Sequence, residues 1–167
     1  MSKTLWTPWR MAYVEGREGR DSGCIFCPGD NTRDHAREEL RLYRDATVSV
    51  LMNRFPYANG HLLVAPTRHL ADLTDLTEKE NTAIMRIIQK SVTILRTHFA
   101  PHGFNIGLNL GETAGAGIAA HLHWHIVPRW DGDHNFMTVL AEVRTIPEHI
   151  ENTFDRLLPD FKNIADQ

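Results

Sequence analysis

The sequence predicts an α+β domain: a five-stranded antiparallel sheet packed by one long helix and a short C-terminal helix. Three observations carry this. Short β-like runs follow one another on tight connections between residues 40 and 66, an apolar stripe at helical spacing extends from Ile84 to Phe99, and an alternating stretch over residues 121–128 reads as a strand with two unlike faces. With 167 residues the chain has about one domain's worth of length, and its apolar content suffices for a core.

Residues 40–44 and 47–52 form the first two runs, separated by Asp45 and Ala46, and residues 61–65 form the third, closed by Pro66. Neighbouring strands on short links predict an antiparallel meander. The connection over 53–60 contains Pro56 and the Asn59-Gly60 pair, which mark a turn. Thr77 and Glu80 stand at capping-box spacing and open the helix, Ile84, Ile87, Ile88, Leu95 and Phe99 form its buried stripe, and Pro101 with Gly103 ends it. Residues 104–110 alternate like a fourth strand, and 111–117 form a Gly/Ala-rich loop running into the fifth. A last helix is predicted over 147–158, with Ile150, Phe154 and Leu157 inward.

The fifth strand carries the chemistry. Side chains of an extended chain alternate, so His121, His123 and His125 share one face while Leu122, Trp124 and Ile126 share the other. The apolar face suits packing on a helix; three adjacent imidazoles are hard to explain as core filling or as solvated surface. At about 3.3 Å of rise per residue, His121 and His125 lie roughly 13 Å apart at the backbone, too far to share one ion at about 2.1 Å from each. Two of the three can share a metal, or the row is catalytic with at most one histidine borrowed as a ligand. The small-residue loop before it offers backbone N–H groups to a phosphate, or needs glycine only for its dihedrals.

Cys24 and Cys27 are the only cysteines. In a reducing compartment such a pair is a metal half-site, a redox pair or two small buried residues. A thioredoxin-type motif needs a strand before it and a helix after it; here 17–23 is turn-like and Pro28-Gly29-Asp30 follows, so a metal leads, and it needs two further ligands. The net charge of −3 and the lack of a Lys/Arg block argue against a nucleic acid polymer as partner. No apolar run approaches a membrane span, and Trp6-Thr7-Pro8-Trp9-Arg10 lacks a signal peptide's apolar core, so no membrane association and a cytoplasmic location are expected.

His121-Leu122-His123-Trp124-His125-Ile126-Val127 closely resembles the His-φ-His-φ-His-φ-φ signature of the histidine triad (HIT) superfamily of nucleotide hydrolases and transferases, φ being apolar. The resemblance spans roughly residues 20–140 and takes in residues 23–27, Gly60-His61-Leu62-Leu63-Val64-Ala65-Pro66, residues 109–117 and Pro128-Arg129-Trp130. It implies a HIT-like fold over 23–140, preceded by an arm at 1–22 whose Trp6, Trp9 and Tyr13 lie on the domain or a partner, and followed by a C-terminal helix and tail at 141–167.

The resemblance also implies roles. His123 attacks the α-phosphorus of a nucleotide to give a nucleotidyl-histidine, His125 donates to phosphate oxygens or the leaving group, and His61 completes the polar lining. Asn53 matches the residue that holds the ribose hydroxyls, and Asn109 one that orients the phosphates. Gly117 and Ile118 stand where well-studied branches carry a Gln and a Ser or Thr, so phosphate contacts pass to main-chain donors of the loop, Gly115 and Gly117 among them. In members with the Cys-x-x-Cys pair, a structural zinc is completed by a histidine after the third strand and by the first triad histidine, which map onto His69 and His121. The row with Pro128-Arg129-Trp130, Gly132-Asp133 and Asn135-Phe136 resembles bacterial members linked to cleavage of adenine dinucleoside polyphosphates such as diadenosine tetraphosphate. Family members usually pair as homodimers. Hydrolase and orthophosphate-dependent phosphorylase differ only in what resolves the intermediate, and no residue decides between them. A nucleotide-binding regulatory protein with incidental phosphoramidase activity and a zinc-stabilised interaction module are the competing readings.

Overall fold

A computed structural model describes residues 23–27, 36–133 and 148–164. The arm at 1–22, and Asn135, Phe136 and Pro147 with it, lie outside the described residues. Five strands, β1 (Arg41–Arg44), β2 (Val48–Met52), β3 (Leu62–Pro66), β4 (Gly103–Leu108) and β5 (Trp124–Arg129), form one sheet in the order β1-β2-β3-β5-β4 with every neighbour antiparallel. Helices α1 (Glu78–Phe99) and α2 (Ile150–Lys162) accompany it. The expected α+β class and five strands are present.

Local chemistry explains most boundaries. Asp45 Oδ1 accepts from the N–H groups of Thr47 and Val48, both at 2.7 Å, closing the β1–β2 turn with a side chain rather than a glycine. The Thr77–Glu80 capping box forms as the spacing predicts, with Glu80 accepting from the Thr77 N–H and Thr77 Oγ1 from that of Glu80. Ala100, in the left-handed region at φ 42°, ends α1.

One face of the sheet meets both helices. Val48, Val50, Met52, Leu62, Val64 and Ile126 pack with Ile84, Ile88 and Leu95 of α1 and with Phe154, Leu157 and Phe161 of α2. Leu51, Leu63 and Ala65 point to the opposite face, where Phe26 joins them in a second, smaller cluster. β2 and β3 are therefore buried on both faces, which accounts for their nearly unbroken apolar runs.

Two expectations need correcting. The histidine strand begins at Trp124 rather than His121: its ladders with β3 and β4 both end there, at Val64 and Leu108, and the preceding residues are held by other partners, Leu122 N–H donating to Leu70 O at 2.7 Å and His121 being tied through its ring. The last helix does not stop before Pro159; it continues to Lys162. Pro159 removes one helical N–H, but Phe161 and Ile164 beyond it are fully buried, and that burial offsets the lost bond.

Candidate functional site

The second face of the sheet carries two adjoining groups of side chains, and the segment leading into β5 contributes to both, His121 to the first and His123 to the second. In the first, Cys24 Sγ lies 3.2 Å from His121 Nδ1, and Cys27 Sγ lies 3.1 Å from His69 Nδ1 and 3.7 Å from His121 Nδ1. One ligand atom from each of the four falls within 4.8 Å of every other, so the group could hold a metal ion. The turn over 23–27, tightened by Cys27 N–H donating to Cys24 O at 3.0 Å, supplies the sulfurs, and the segment after β3 supplies His69. His121 is fully buried, and its Nε2–H donates to Pro66 O at 2.9 Å. That bond fixes the tautomer and leaves the Nδ1 lone pair facing the sulfurs, where it could ligate an ion.

The second group holds His123, His125 and His61. His123 Nδ1–H donates to the carbonyl of His121 at 2.8 Å, so Nε2 carries the lone pair. Around His61 the donors run in series. The Tyr57 N–H donates to His61 Nδ1 at 3.0 Å, with the Asn53 amide 3.3 Å from the same nitrogen, and His61 Nε2 lies 3.0 Å from His125 Nδ1. A neutral His61 that accepts at Nδ1 must carry its proton on Nε2 and donate it to His125. Neutral His125 then has its own proton on Nε2. The row therefore presents one nitrogen with a lone pair, on His123, beside one with a proton, on His125, their ring centroids 5.1 Å apart.

Burial keeps these rings neutral. It is the largest influence on His61, which is pushed down to about 3 with help from the neighbouring His125 and His123, and on His125, pushed down to about 4. Burial also lowers His123, against the bond to the His121 carbonyl, which favours the protonated ring. A folded-state pKa below the ordinary 6.5 means that the unfolded chain takes up protons first as pH falls. The stability these two rings contribute is complete above pH 6.5 and drains away below it, to about pH 4 for His125 and about pH 3 for His61, at up to about 1.4 kcal/mol per pH unit for each. Urea unfolding at pH 7, 5.5 and 4.5 should show a shallower decline in His61→Gln than in wild type; parallel declines would mean that His61 is already protonated in the folded protein.

The remaining expected site residues are placed unequally. Asn53 sits in the turn before β3, where its Oδ1 accepts from the Phe55 N–H at 2.9 Å and its amide faces His61, so its side chain shapes the histidine pair. Asn109 follows β4, whose Leu108 pairs with Trp124, and its amide donates to Gly115 O at 3.3 Å, bracing the small-residue loop. Gly111 (φ 81°) and Gly115 (φ 90°) flank a single 3-10 turn there, a conformation that requires glycine. Gly117 lies in the exposed part of the same loop. Sequence reasoning missed three contributors: Phe26, fully buried and stacked on His123; the Tyr57 N–H; and the Tyr57 ring, half exposed and nearly parallel to that of His125. Backbone groups leave no trace in a sequence, and Phe26 was hidden between the two cysteines.

The family model described as the HIT domain matches residues 35–132. AP-4-A phosphorylase of Mycobacterium tuberculosis is 40% identical over 154 residues, covering 89% of this chain and 79% of that protein. The asymmetrical bis(5'-nucleosyl)-tetraphosphatase of Schizosaccharomyces pombe is 34% identical over 91 residues, covering 54% of this chain and 50% of that protein. Among solved structures, a Zn-bound histidine triad family protein from Mycobacterium smegmatis superposes with a TM-score of 0.60 at 26% identity, over 76% of this chain and 86% of that one.

Proposed function

This chain belongs to the HIT domain family, and from that premise we propose that it cleaves adenine dinucleoside polyphosphates, diadenosine tetraphosphate first among them, at the α-phosphate through a nucleotidyl-histidine on His123. The observation that carries the reading is the hydrogen bond from His123 Nδ1 to the His121 carbonyl, which leaves Nε2 unprotonated.

The reaction runs in two displacements. His123 Nε2 forms a bond to the α-phosphorus while the bond to the bridging oxygen breaks, and the charge arriving on the imidazole is shared through Nδ1–H with the His121 carbonyl. His125, with its proton held on Nε2 by the His61 relay, donates to phosphate oxygens as charge gathers there. Asn53 holds the ribose hydroxyls while its turn sets His61, and Asn109 with the N–H of Gly117 orients the phosphates; Gly115, whose own N–H donates to Glu112 O at 2.9 Å, shapes the loop instead. Water or orthophosphate then attacks phosphorus and the N–P bond breaks, freeing His123.

Likeness to a phosphorylase at 40% identity across most of both chains favours orthophosphate as the acceptor; the tetraphosphatase match is shorter and weaker. The test is diadenosine tetraphosphate with and without orthophosphate. ADP plus ATP, formed only with orthophosphate, is the expected result; AMP plus ATP without it would make the protein a hydrolase, and no cleavage in either arm would leave it a nucleotide-binding protein.

Zinc is the proposed ion. A tetrahedral centre with metal–sulfur bonds of about 2.3 Å and metal–nitrogen bonds of about 2.1 Å needs sulfur–nitrogen edges of about 3.6 Å. The observed separations of 3.1, 3.2 and 3.7 Å need only small adjustments to meet that, and two thiolates with two imidazoles suit zinc. All four positions come from protein, so the ion is structural: it supplies cross-linking, not a site for substrate. A reducing cytoplasm keeps Cys24 and Cys27 available as ligands. No helix among the described residues is long and apolar enough to cross a membrane.

The partner proposed beyond the nucleotide is a second copy. Among the described residues β4 is a sheet edge, it lacks Lys and Pro, and Ile106 on it is 47% exposed, an edge that invites pairing with its own kind. Sedimentation equilibrium should give twice the 19.1 kDa chain mass for the wild type and the single-chain mass for Ile106→Lys; a monomeric wild type would refute the pairing.

A further inference from the structure

We propose that Phe26 is the positioning residue that transmits the order of the cysteine–histidine metal group to the His123 ring, so that the ion sets the aim of the nucleophile it does not touch. The inference rests on the reading of His123 as nucleophile and adds to it what holds the ring in place.

One hydrogen bond does not fix an imidazole. The bond from Nδ1 to the His121 carbonyl holds one edge of His123, and the ring can still swing about that edge. Two flat neighbours close off the swing. Phe26 stacks on His123 with ring centroids 5.0 Å apart and planes inclined by 29°, and His125 meets it edge-on at 5.1 Å and 62°. The same Phe26 ring lies 5.1 Å from His121, a member of the metal group.

Phe26 is held both by its packing and by its place in the turn. It is fully buried on the sheet face away from the helices, against Leu51, Leu63 and Ala65, and it is carried by a short segment with a ligand sulfur two residues before it and another directly after it. Closing the group around an ion pins Cys24 and Cys27 to His121 and His69, and so pins the backbone that seats Phe26. The large flat side chain between the two cysteines is thereby used twice, as the plug of the small core cluster and as one wall of the nucleophile's slot.

The test compares wild type with Phe26→Leu and Phe26→Met, which keep an apolar side chain but lose the flat face; the flexible Met fills the gap with least disturbance. Three quantities are read: metal per chain, the nitrogen-15 and ring-proton resonances of His123 with the exchange rate of its Nδ1–H, and the rate of nucleotidyl transfer to His123. Both variants should keep their metal. Their His123 resonances should move with faster Nδ1–H exchange, and the transfer rate should fall on the order of 10- to 100-fold with KM unchanged. Stripping the metal from wild type should change the His123 resonances in the same direction, and stripping it from Phe26→Leu should add little. A metal-loaded variant with wild-type His123 resonances and wild-type transfer would overturn the inference, as would metal-free wild-type protein whose His123 is unperturbed. If wild type transfers no nucleotidyl group, the proposed function fails instead, and the His123 resonances still decide the role of Phe26.

Discussion

His123→Ala is expected to lose turnover by on the order of 10³- to 10⁶-fold while still binding nucleotide, because removing a nucleophile removes the bond-forming atom and not the pocket. The neighbours cannot substitute. His121 is buried with Nε2 bonded to Pro66 O and Nδ1 turned to the cysteine sulfurs, and His125 has its Nδ1 occupied by His61. Only His123 among the triad has a ring nitrogen left with a lone pair by its partners. The variant removes one side chain that is 6% exposed and packed on Phe26, so some stability goes with it. Binding of a non-hydrolysable dinucleotide, measured by calorimetry at a temperature where the variant is folded, separates the two effects. A variant that binds and still turns over near the wild-type rate would remove His123 from the mechanism.

Cys24→Ser is expected to empty the metal group and to destabilise the whole fold. Three remaining ligands hold zinc far less tightly than four, and a serine hydroxyl is a poor replacement for a thiolate. An ion bound at 1,000 times its dissociation constant stabilises a folded chain by about 4 kcal/mol. Losing that lowers the melting temperature of a chain of this size by roughly 8–16 °C. The effect should reach beyond the turn, since Phe26 between the two cysteines plugs the small core cluster with Leu51, Leu63 and Ala65. Metal analysis of protein purified without chelator should find about one zinc per wild-type chain and close to none in the variant. Full metal content in Cys24→Ser would dismiss the proposed ligand set.

Local signals were legible in the sequence; distant pairings were not. The capping box at Thr77 and Glu80 and the stripe Ile84, Ile87, Ile88 and Leu95 define α1 because a helix is built from neighbours in the chain. The meander β1-β2-β3 follows from short connections for the same reason. The insertion of β5 between β3 and β4 was not legible, because the bonds that place it join residues some sixty positions apart, Leu63 with His125 among them. The end of the last helix was misread at Pro159 because propensity is local whereas the burial of Phe161 and Ile164 is not.

At the site the alternation of the histidines was readable, and the wider resemblance suggested which histidines complete the metal group. Spacing alone could not bring His69 to Cys27 across forty-two residues. Nor could it show which nitrogen of each ring is free. That is decided by the carbonyls of His121 and Pro66, which every residue type carries alike, and by the Tyr57 N–H, which every type but proline carries. Asn53 shows the limit most plainly: its residue type fits a ribose contact, and only the fold reveals that the same amide also steadies His61.

The central claim is that one imidazole nitrogen, Nε2 of His123, becomes bonded to phosphorus. Rapid mixing of the wild-type protein with diadenosine tetraphosphate, quenching in alkali where a phosphoramidate survives, and mass spectrometry of the proteolytic peptides tests it directly. The account predicts a single adenylyl group on the peptide containing residues 121–128, localised by fragmentation to His123 and absent from His123→Ala. Turnover without any adduct, or an adduct on His125 or another residue, would contradict it.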